Sequence, residues 1–415
     1  MGSANALTNG HGMHPLFSFG VISDVQYADI PDGHSFLGVP RYYRHSMLVL
    51  QRAVQSWNNH KKLNFAINFG DIVDGHCPKD QSLHAVKKLV GEFDKFNGPV
   101  YHMIGNHCLY NLPRDKLLPL LKIPNLGGSG HAYYEFSPTP DYRFVVLDGY
   151  DISAIGWPDD HPNTLEALRF LREKNPNSDK NSPDGLRGLH RRFLMFNGGI
   201  GKEQMEWLDG VLQDATKMKQ KVIVCCHLPL DPGASSKEAL LWNYDQVMDV
   251  IHRYNCVKVC IAGHDHEGGH SIDSHGIHHR VLEAALECPP GTDAYGYIDV
   301  YDNMLSLVGT DRMKSTEISW PDVCEVVTTK PVLTSPIMSK LMPVSMNNHN
   351  DHFILTWLPR LVAGGVGPAM AAAARLNQTT LQHENCKEHM QQGNVQIFKV
   401  CIKAAKFMIK MNGST

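Results

Sequence analysis

The chain has 415 residues, 42% of them hydrophobic and 20% charged, with a formal net charge of −3. That balance excludes a disordered chain and supplies the core of one large domain or two ordinary ones. It also excludes a global basic field, so no nucleic-acid partner is expected.

In chain order, residues 1–15 read as a disordered leader. They lack the apolar centre of a signal peptide, and Ala6 stands where a myristoylation motif needs Ser or Thr. Six apolar runs follow, at residues 17–22, 65–69, 100–104, 144–147, 221–226 and 257–262. They are short, rich in Val, Ile and Phe, and apolar on both faces, which is how central strands of a covered sheet read. Helical spacing appears between them. Met47, Leu50, Val54 and Trp57 share one face of a helix predicted over 41–59, and Met205, Leu208 and Leu212 share a face of one over 202–213. Strand–helix alternation argues an α/β fold with helices outside the sheet. Residues 295–301 and 304–310 read as a hairpin through Asp302-Asn303, and so as a second, partly antiparallel sheet.

The polar segment 151–190 reads as a surface insertion with a helix over 165–171, long enough to serve as a lid. Beyond residue 320 the composition changes, and 320–415 is read as a C-terminal extension: a docking element for protein, an alternative-transcript product, or unstructured chain. Its stretch 353–376 has the length of a membrane span, but Pro359, Arg360 and Pro368 argue against insertion, so no membrane partner is expected. The ten Cys include no CxxC pair, which with the absence of a leader signal points to reduced thiols in a cytoplasmic or nuclear compartment.

Chemistry-bearing residues gather where apolar runs end: Asp24 and Gln26, Asp71, Asn106 and His107, His227, His264 and His266. Asp24 and Gln26 stand at i and i+2, so in extended backbone a carboxylate and an amide oxygen point to the same side and can grip one cation. His264 and His266 repeat that spacing with imidazoles. The two oxygens of Asp71 can bridge two cations roughly 3.5–4 Å apart. Asn106 is an oxygen donor without charge, and His227 closes another strand as a further ligand. Asp74 is placed to orient His107 and support its charged form. Each residue alone reads equally as a turn cap or a satisfied core group; the conjunction of strand ends is the signal. Two divalent cations carry more charge than Asp24 and Asp71 cancel, so the site would attract phosphate and acidify water. Oxygen and imidazole donors without thiolate suit Mn²⁺ or Mg²⁺, with Zn²⁺ or Fe²⁺ as alternatives.

The order D-x-Q, GD-x-x-D, GNH, a lone strand-end His and GHxH resembles the calcineurin-like metallophosphoesterases over about residues 16–312, within a domain read as 16–319. Within them, GVISDVQYADIPDG, RYYRHS, GNHCLYNLPR, FNGGIGKEQMEWL and GTDRMKST are similar to the manganese-dependent ADP-ribose/CDP-alcohol diphosphatases, the plant form in particular. The chain departs from the wider superfamily in Gln26, where most members have His, and in Cys108, where many have an acid. The resemblance implies a four-layer α/β/β/α sandwich with two mixed sheets and a pair of metal ions, Mn²⁺ foremost. It implies Asp24, Gln26, Asp71 and His266 on one ion, Asp71, Asn106, His227 and His264 on the other, and His107 as general acid. It implies hydrolysis of ADP-ribose to AMP and ribose 5-phosphate, and of CDP-choline or CDP-glycerol to CMP and a phospho-alcohol.

A small nucleotide substrate needs a surface for its base as well as an anion site. Phe36, Tyr110 and Phe196 can stack on a base, with core packing as the competing reading. Arg44 can reach a distal phosphate. Asn197 and Gly199 lie where amides ahead of a predicted helix could hold one. Two rival functions stay open: a cyclic-nucleotide or other phosphodiesterase of the same fold, and a metal-loaded scaffold that binds protein without catalysis.

Overall fold

The computed structural model describes residues 14–321, save residues 36, 61–62 and 125–127. The leader up to residue 13, the C-terminal chain from 322, the 353–376 stretch and Phe36 lie outside the described residues. Among those described, no helix is long and apolar enough to cross a membrane.

The described elements begin with β1 (Phe17–Ile22), a short ribbon β2 (Gly33–His34) and β3 (Pro40–Arg41), α1 (His45–Asn59), β4 (Leu63–Asn68), α2 (Ser82–Phe93) and β5 (Val100–His102). Next come α3 (Asn106–Asn111), α4 (Arg114–Leu120), β6 (Tyr134–Thr139), β7 (Tyr142–Leu147), α5 (Pro162–Lys174), α6 (Lys202–Lys217), β8 (Lys221–Cys226), α7 (Tyr244–Ile251) and β9 (Val257–Ala262). The last are β10 (Gly269–Ile272), β11 (His278–Val281), β12 (Gly296–Val300), β13 (Met304–Gly309) and β14 (Thr316–Ser319).

The strands form two six-stranded mixed sheets, ordered β14-β13-β12-β1-β4-β5 and β10-β11-β9-β8-β7-β6. Parallel β1, β4 and β5 occupy one half of the first sheet, and parallel β7, β8 and β9 the middle of the second. The inner faces meet through aromatic rings. Phe65 stacks on Phe19 at 5.1 Å and meets Phe144 of the opposite sheet edge-on at 5.5 Å. Phe17 meets Tyr142 edge-on at 5.4 Å. Such pairs favour offset and T-shaped contact beyond the area they bury, which fixes how the sheets face each other. Helix α1 covers the outside of the first sheet. Its Met47, Leu50, Val54 and Trp57 are buried as the spacing predicts, and Trp57 Nε1 donates to the carbonyl of Gly296 at 2.9 Å. Helix α6 lies outside the second sheet, burying Leu208, Val211, Leu212 and Ala215.

Two expectations change. The hairpin of residues 295–310 does not found a second sheet: β12 pairs antiparallel with β1, Phe17 opposite Val300, and so extends the first. The second sheet is built instead around β7, β8 and β9, whose apolar runs look like those of the first sheet and carry no label of sheet membership. The segment 151–190 is also more than a polar excursion. Helix α5 starts at Pro162 behind a His161 cap, and its Ala167 and Leu171 form a small satellite core with Phe193 and Trp242.

Candidate metal centre

The parallel strands of both sheets end on one side, and the polar residues follow there. Backbone pairing continues past the strands: Gln26 N–H donates to the Asp71 carbonyl at 2.8 Å, and Gly263 N–H to the His227 carbonyl at 3.0 Å. The i, i+2 argument from extended backbone does not hold. Asp24, Gln26, Asp71 and His264 have φ of 51°, 41°, 52° and 68°, all left-handed. For residues with a Cβ that conformation costs about 1–2 kcal/mol each. Strain gathered on four side chains that face one another is the mark of a functional site held in place by its surroundings. The backbone also approaches the side chains closely. A Cβ on Gly105 would lie 2.2 Å from Asp71 Oδ1 and 2.7 Å from His227 Nε2, and one on Gly70, at φ 103°, would lie 2.5 Å from His227 Nδ1.

Asp71 and His227 form the centre. Both are fully buried. His227 Nδ1 donates to the carbonyl of Phe69 at 2.6 Å, which leaves Nε2 facing Asp71 Oδ2, 3.3 Å away. Asp71 Oδ1 accepts from Cys108 N–H at 3.2 Å. Asp71 Oδ2 and His227 Nε2 are buried with no hydrogen-bond partner. His264 completes the group: one ligand atom from each of Asp71, His227 and His264 lies within 4.8 Å of the others. Asn197 Oδ1 faces His264 Nε2 at 2.9 Å, while its amide nitrogen donates to the carbonyls of Arg192 and Glu238. Nε2 of His264 therefore carries the hydrogen, and Nδ1 keeps its lone pair. Asn106 is buried beside this group, its Oδ1 accepting from Tyr150 Oη at 3.2 Å.

A second group adjoins it. His266 Nε2 lies 3.6 Å from Asp24 Oδ1, and the Gln26 amide nitrogen sits 2.8 Å from that ring nitrogen and 3.4 Å from the same oxygen. Asp24, Gln26 and His266 thus converge on one place. Gln26 Oε1 is buried and unpartnered. Asp24 Oδ2 is held by Ser23 Oγ and by His264 N–H. Glu287 fixes the far side of His266, its Oε1 2.8 Å from Nδ1, and is itself bound by Arg312 at 3.0 Å.

Burial opposes ionisation of Asp24, yet His266, His227 and Ser23 outweigh it and hold the carboxyl well below the usual range. Asp71 is likewise held low despite burial, chiefly by His227. Burial works against protonated His227 and His266, but the neighbouring carboxylates prevail and raise each to about 9. Burial and the proximity of His227 push His264 down to about 3, so it is a neutral donor. Buried oxygens without a hydrogen-bond partner, Asp71 Oδ2 and Gln26 Oε1, cost free energy unless something positive meets them. The donor set of carboxylate, amide oxygen and imidazole fits divalent cations of the Mn²⁺ or Zn²⁺ kind.

His107 stands at the edge of the group, its side chain 17% exposed and its Nδ1 3.2 Å from the buried Asp74 Oδ2. The N–H of Gly75 donates to the same Nδ1 at 2.8 Å. In the neutral ring Nε2 therefore carries the hydrogen and faces outward, while Asp74 beside Nδ1 is placed to support a second proton there. Asn111 donates to the main-chain carbonyls of both Asp74 and His107 at 2.8 Å, which binds the two loops together.

The other expected residues divide. Phe196 is half-buried with its ring 5.7 Å from that of His264, and Tyr110 packs edge-on against His107 at 5.6 Å; burial raises the Tyr110 phenol to about 12. Asn197 belongs to the site as the partner of His264 rather than as an anion holder. Gly199 does not offer its amide, which donates to the Ile152 carbonyl; the next two amides are taken by Asn243 and by the Asp151 carboxylate. Arg44 is turned outward to Asp29 at 2.6 Å. The basic residue near Asp74 is Arg41 instead, 3.8 Å from its Oδ2. Sequence reasoning missed Tyr150 and Glu287. Tyr150 follows β7, so the strand-end rule had pointed to its position, but a phenol is not among the expected ligand types. Glu287 sits on a short turn, 285–287, with no apolar run before it.

Two mixed sheets that present carboxylates, amides and imidazoles from their strand ends define a dimetal phosphoesterase. The family described as calcineurin-like phosphoesterase matches residues 17–268, and the chain belongs to that family. It is 72% identical over 303 residues to the Arabidopsis thaliana manganese-dependent ADP-ribose/CDP-alcohol diphosphatase, spanning 73% of this chain and 97% of that protein. The Oryza sativa protein of the same name is 66% identical over 318 residues, 77% of this chain and 98% of that protein. Among solved structures, a dimetal phosphatase from Danio rerio matches with a TM-score of 0.71 at 38% identity, covering 74% of this chain and 100% of that one.

Proposed function

We propose that this chain is a manganese-dependent diphosphatase that cleaves the pyrophosphate bond of ADP-ribose to AMP and ribose 5-phosphate. CDP-alcohols such as CDP-choline or CDP-glycerol are cleaved at the same site to CMP and the phospho-alcohol. The observation that carries this reading is 72% identity across 97% of a protein bearing that name, by a chain whose donors converge at one edge.

Asp24, Gln26, Asp71 and His266 would hold one cation, and Asp71, Asn106, His227 and His264 the other. Two such ions neutralise pyrophosphate charge and acidify water near neutral pH. The chain does the rest. Asp71, which would be shared by both cations, has its Oδ1 anchored by Cys108 N–H, so its carboxylate is held in one place. His107, once protonated on both ring nitrogens, would give its Nε2 proton to the leaving phosphate oxygen and become neutral; buried Asp74, 3.2 Å from Nδ1, supports the charged ring that precedes the transfer. Burial, His107 and the His76 amide act on Asp74, with a net lowering that keeps it ionised for that role. Phe196, half-buried over His264, offers a face for the nucleobase. The segment 151–190, which ends shortly before Phe196, belongs to this proposal as the cover of the substrate's base end. So does a cytoplasmic or nuclear setting, supported by seven described cysteines that are buried as free thiols.

Incubating the purified Mn²⁺-loaded chain with ADP-ribose, CDP-choline, cyclic AMP and bis(p-nitrophenyl) phosphate tests the reading. AMP and CMP from the first two support it, whereas turnover confined to cyclic AMP or the generic diester rejects it.

A further inference from the structure

A second group of imidazoles and a carboxylate lies at the opposite end of the second sheet. Helix α7 ends at Ile251, and His252 follows it. Strands β10 and β11 are joined by a turn that carries Asp273 and His275. In register, His278 of β11 lies opposite Val259 of β9, while Val281 lies opposite Ala262. The turn therefore sits beside the early part of β9, whereas His264 and His266 follow its far end. At about 3.3 Å per residue the two groups are on the order of 10 Å or more apart.

The two oxygens of Asp273 have separate tasks. Oδ1 accepts the N–H groups of His275 at 2.8 Å and Ile277 at 3.0 Å, which shapes the turn. Oδ2 faces imidazoles only: His252 Nε2 at 2.8 Å and His279 Nε2 at 3.3 Å. His275 stacks on His252 with ring centroids 3.7 Å apart. One ligand atom from each of His252, Asp273 and His275 lies within 4.8 Å of the others. Turn shaping alone accounts for Oδ1. It gives no reason for the two imidazoles that face Oδ2, or for the third, His275, that lies against His252.

We propose that His252, Asp273 and His275 form an additional metal site, separate from the strand-end centre, which binds one Zn²⁺-class cation and ties the end of α7 to the β10–β11 turn. Two imidazoles and one carboxylate are a common donor set for Zn²⁺, with water completing a tetrahedron. The cation replaces the proton that His252 Nε2 directs at Asp273. His279, buried beneath, holds the carboxylate in position by its own N–H, the outer support that metal-binding carboxylates need. Burial outweighed by hydrogen bonds from His252, Ile277, His275 and His279 keeps Asp273 ionised, at about 2, and burial lowers His279.

The test equilibrates the full chain with Zn²⁺, removes free metal, and measures bound zinc per chain in wild type, His275→Ala and His252→Ala. His275 is exposed, so its loss leaves the fold intact, and unchanged Mn²⁺-supported hydrolysis checks this in both variants. Each variant is expected to bind one Zn²⁺ fewer than wild type and to lose the part of the zinc-induced rise in Tm that this ion contributes. Equal zinc content in all three proteins overturns the proposal.

Discussion

His227 and Phe69 join the two sheets at the heart of the site: the Nδ1–H of His227 donates across to the Phe69 carbonyl at 2.6 Å. Phe69 lies between β4 and Asp71, so the same contact that ties the sheets together fixes the imidazole relative to the carboxylate it must face. The relation between the strand ends is thus set by the fold itself, before any cation arrives.

Gly105 is the tightest point of that arrangement. Its backbone, φ −125° and ψ 177°, is one that alanine adopts without strain, but a Cβ there would fall 2.2 Å from Asp71 Oδ1. Gly105→Ala is expected to displace Asp71, reducing bound Mn²⁺ and turnover together while leaving the circular dichroism spectrum unchanged. Normal metal content in the variant would show that Asp71 has room to move.

The role proposed for His107 is proton donation rather than metal binding. His107→Ala is expected to lower kcat by roughly 10²–10⁴-fold, the usual contribution of a general acid, with Mn²⁺ content retained. The loss should shrink on a p-nitrophenyl ester, whose leaving group needs no proton. Metal analysis showing loss of Mn²⁺ in this variant would move His107 into the ligand set.

Glu287 acts through His266. Replacing it by Gln removes the charge at 2.8 Å from Nδ1 and keeps the shape. Outer partners of metal-binding histidines are worth about 10–100-fold in metal affinity. Glu287→Gln should therefore raise the Mn²⁺ concentration needed for half-maximal activity by that factor, with kcat largely restored at saturating Mn²⁺. A fall in kcat that excess Mn²⁺ fails to relieve would contradict a positioning role.

Metal loading should be proton-linked. Without a cation, His227 and His266 are raised to about 9 by the carboxylates around them. At pH 7 both therefore carry protons that Mn²⁺ must displace. Affinity should weaken as pH falls from about 9, where the rings begin to protonate, and loading at pH 7 should release protons. Calorimetry in two buffers of different ionisation enthalpy counts them. A Mn²⁺ affinity unchanged between pH 6.5 and 9 would show that these rings are already neutral.

The sequence carried much of this because strand ends are local signals. The runs at 17–22, 221–226 and 257–262 coincide with β1, β8 and β9, and the residues that follow them face the site. What it could not carry is long-range. Which sheet a strand joins depends on edge pairing, so the hairpin of β12 and β13 went to the wrong sheet. Arg41 and Arg44 are close in sequence, and only the placement of Asp29 and Asp74 decides which of them reaches Asp74. Gly199 looked like a phosphate cradle because its amides precede a helix, yet Ile152, Asp151 and Asn243 had claimed them. Left-handed φ at Asp24, Gln26, Asp71 and His264 gives no residue-type signal, since non-glycine residues there are chosen for chemistry rather than backbone ease.

The most direct measurement compares wild type and Asp71→Asn on ADP-ribose, with products resolved by chromatography and bound Mn²⁺ measured in each. The wild type should release AMP and ribose 5-phosphate, and the variant should lose both Mn²⁺ ions and that activity. Full turnover by the variant, or a wild type that carries Mn²⁺ but leaves ADP-ribose intact, would contradict pyrophosphate hydrolysis at this site.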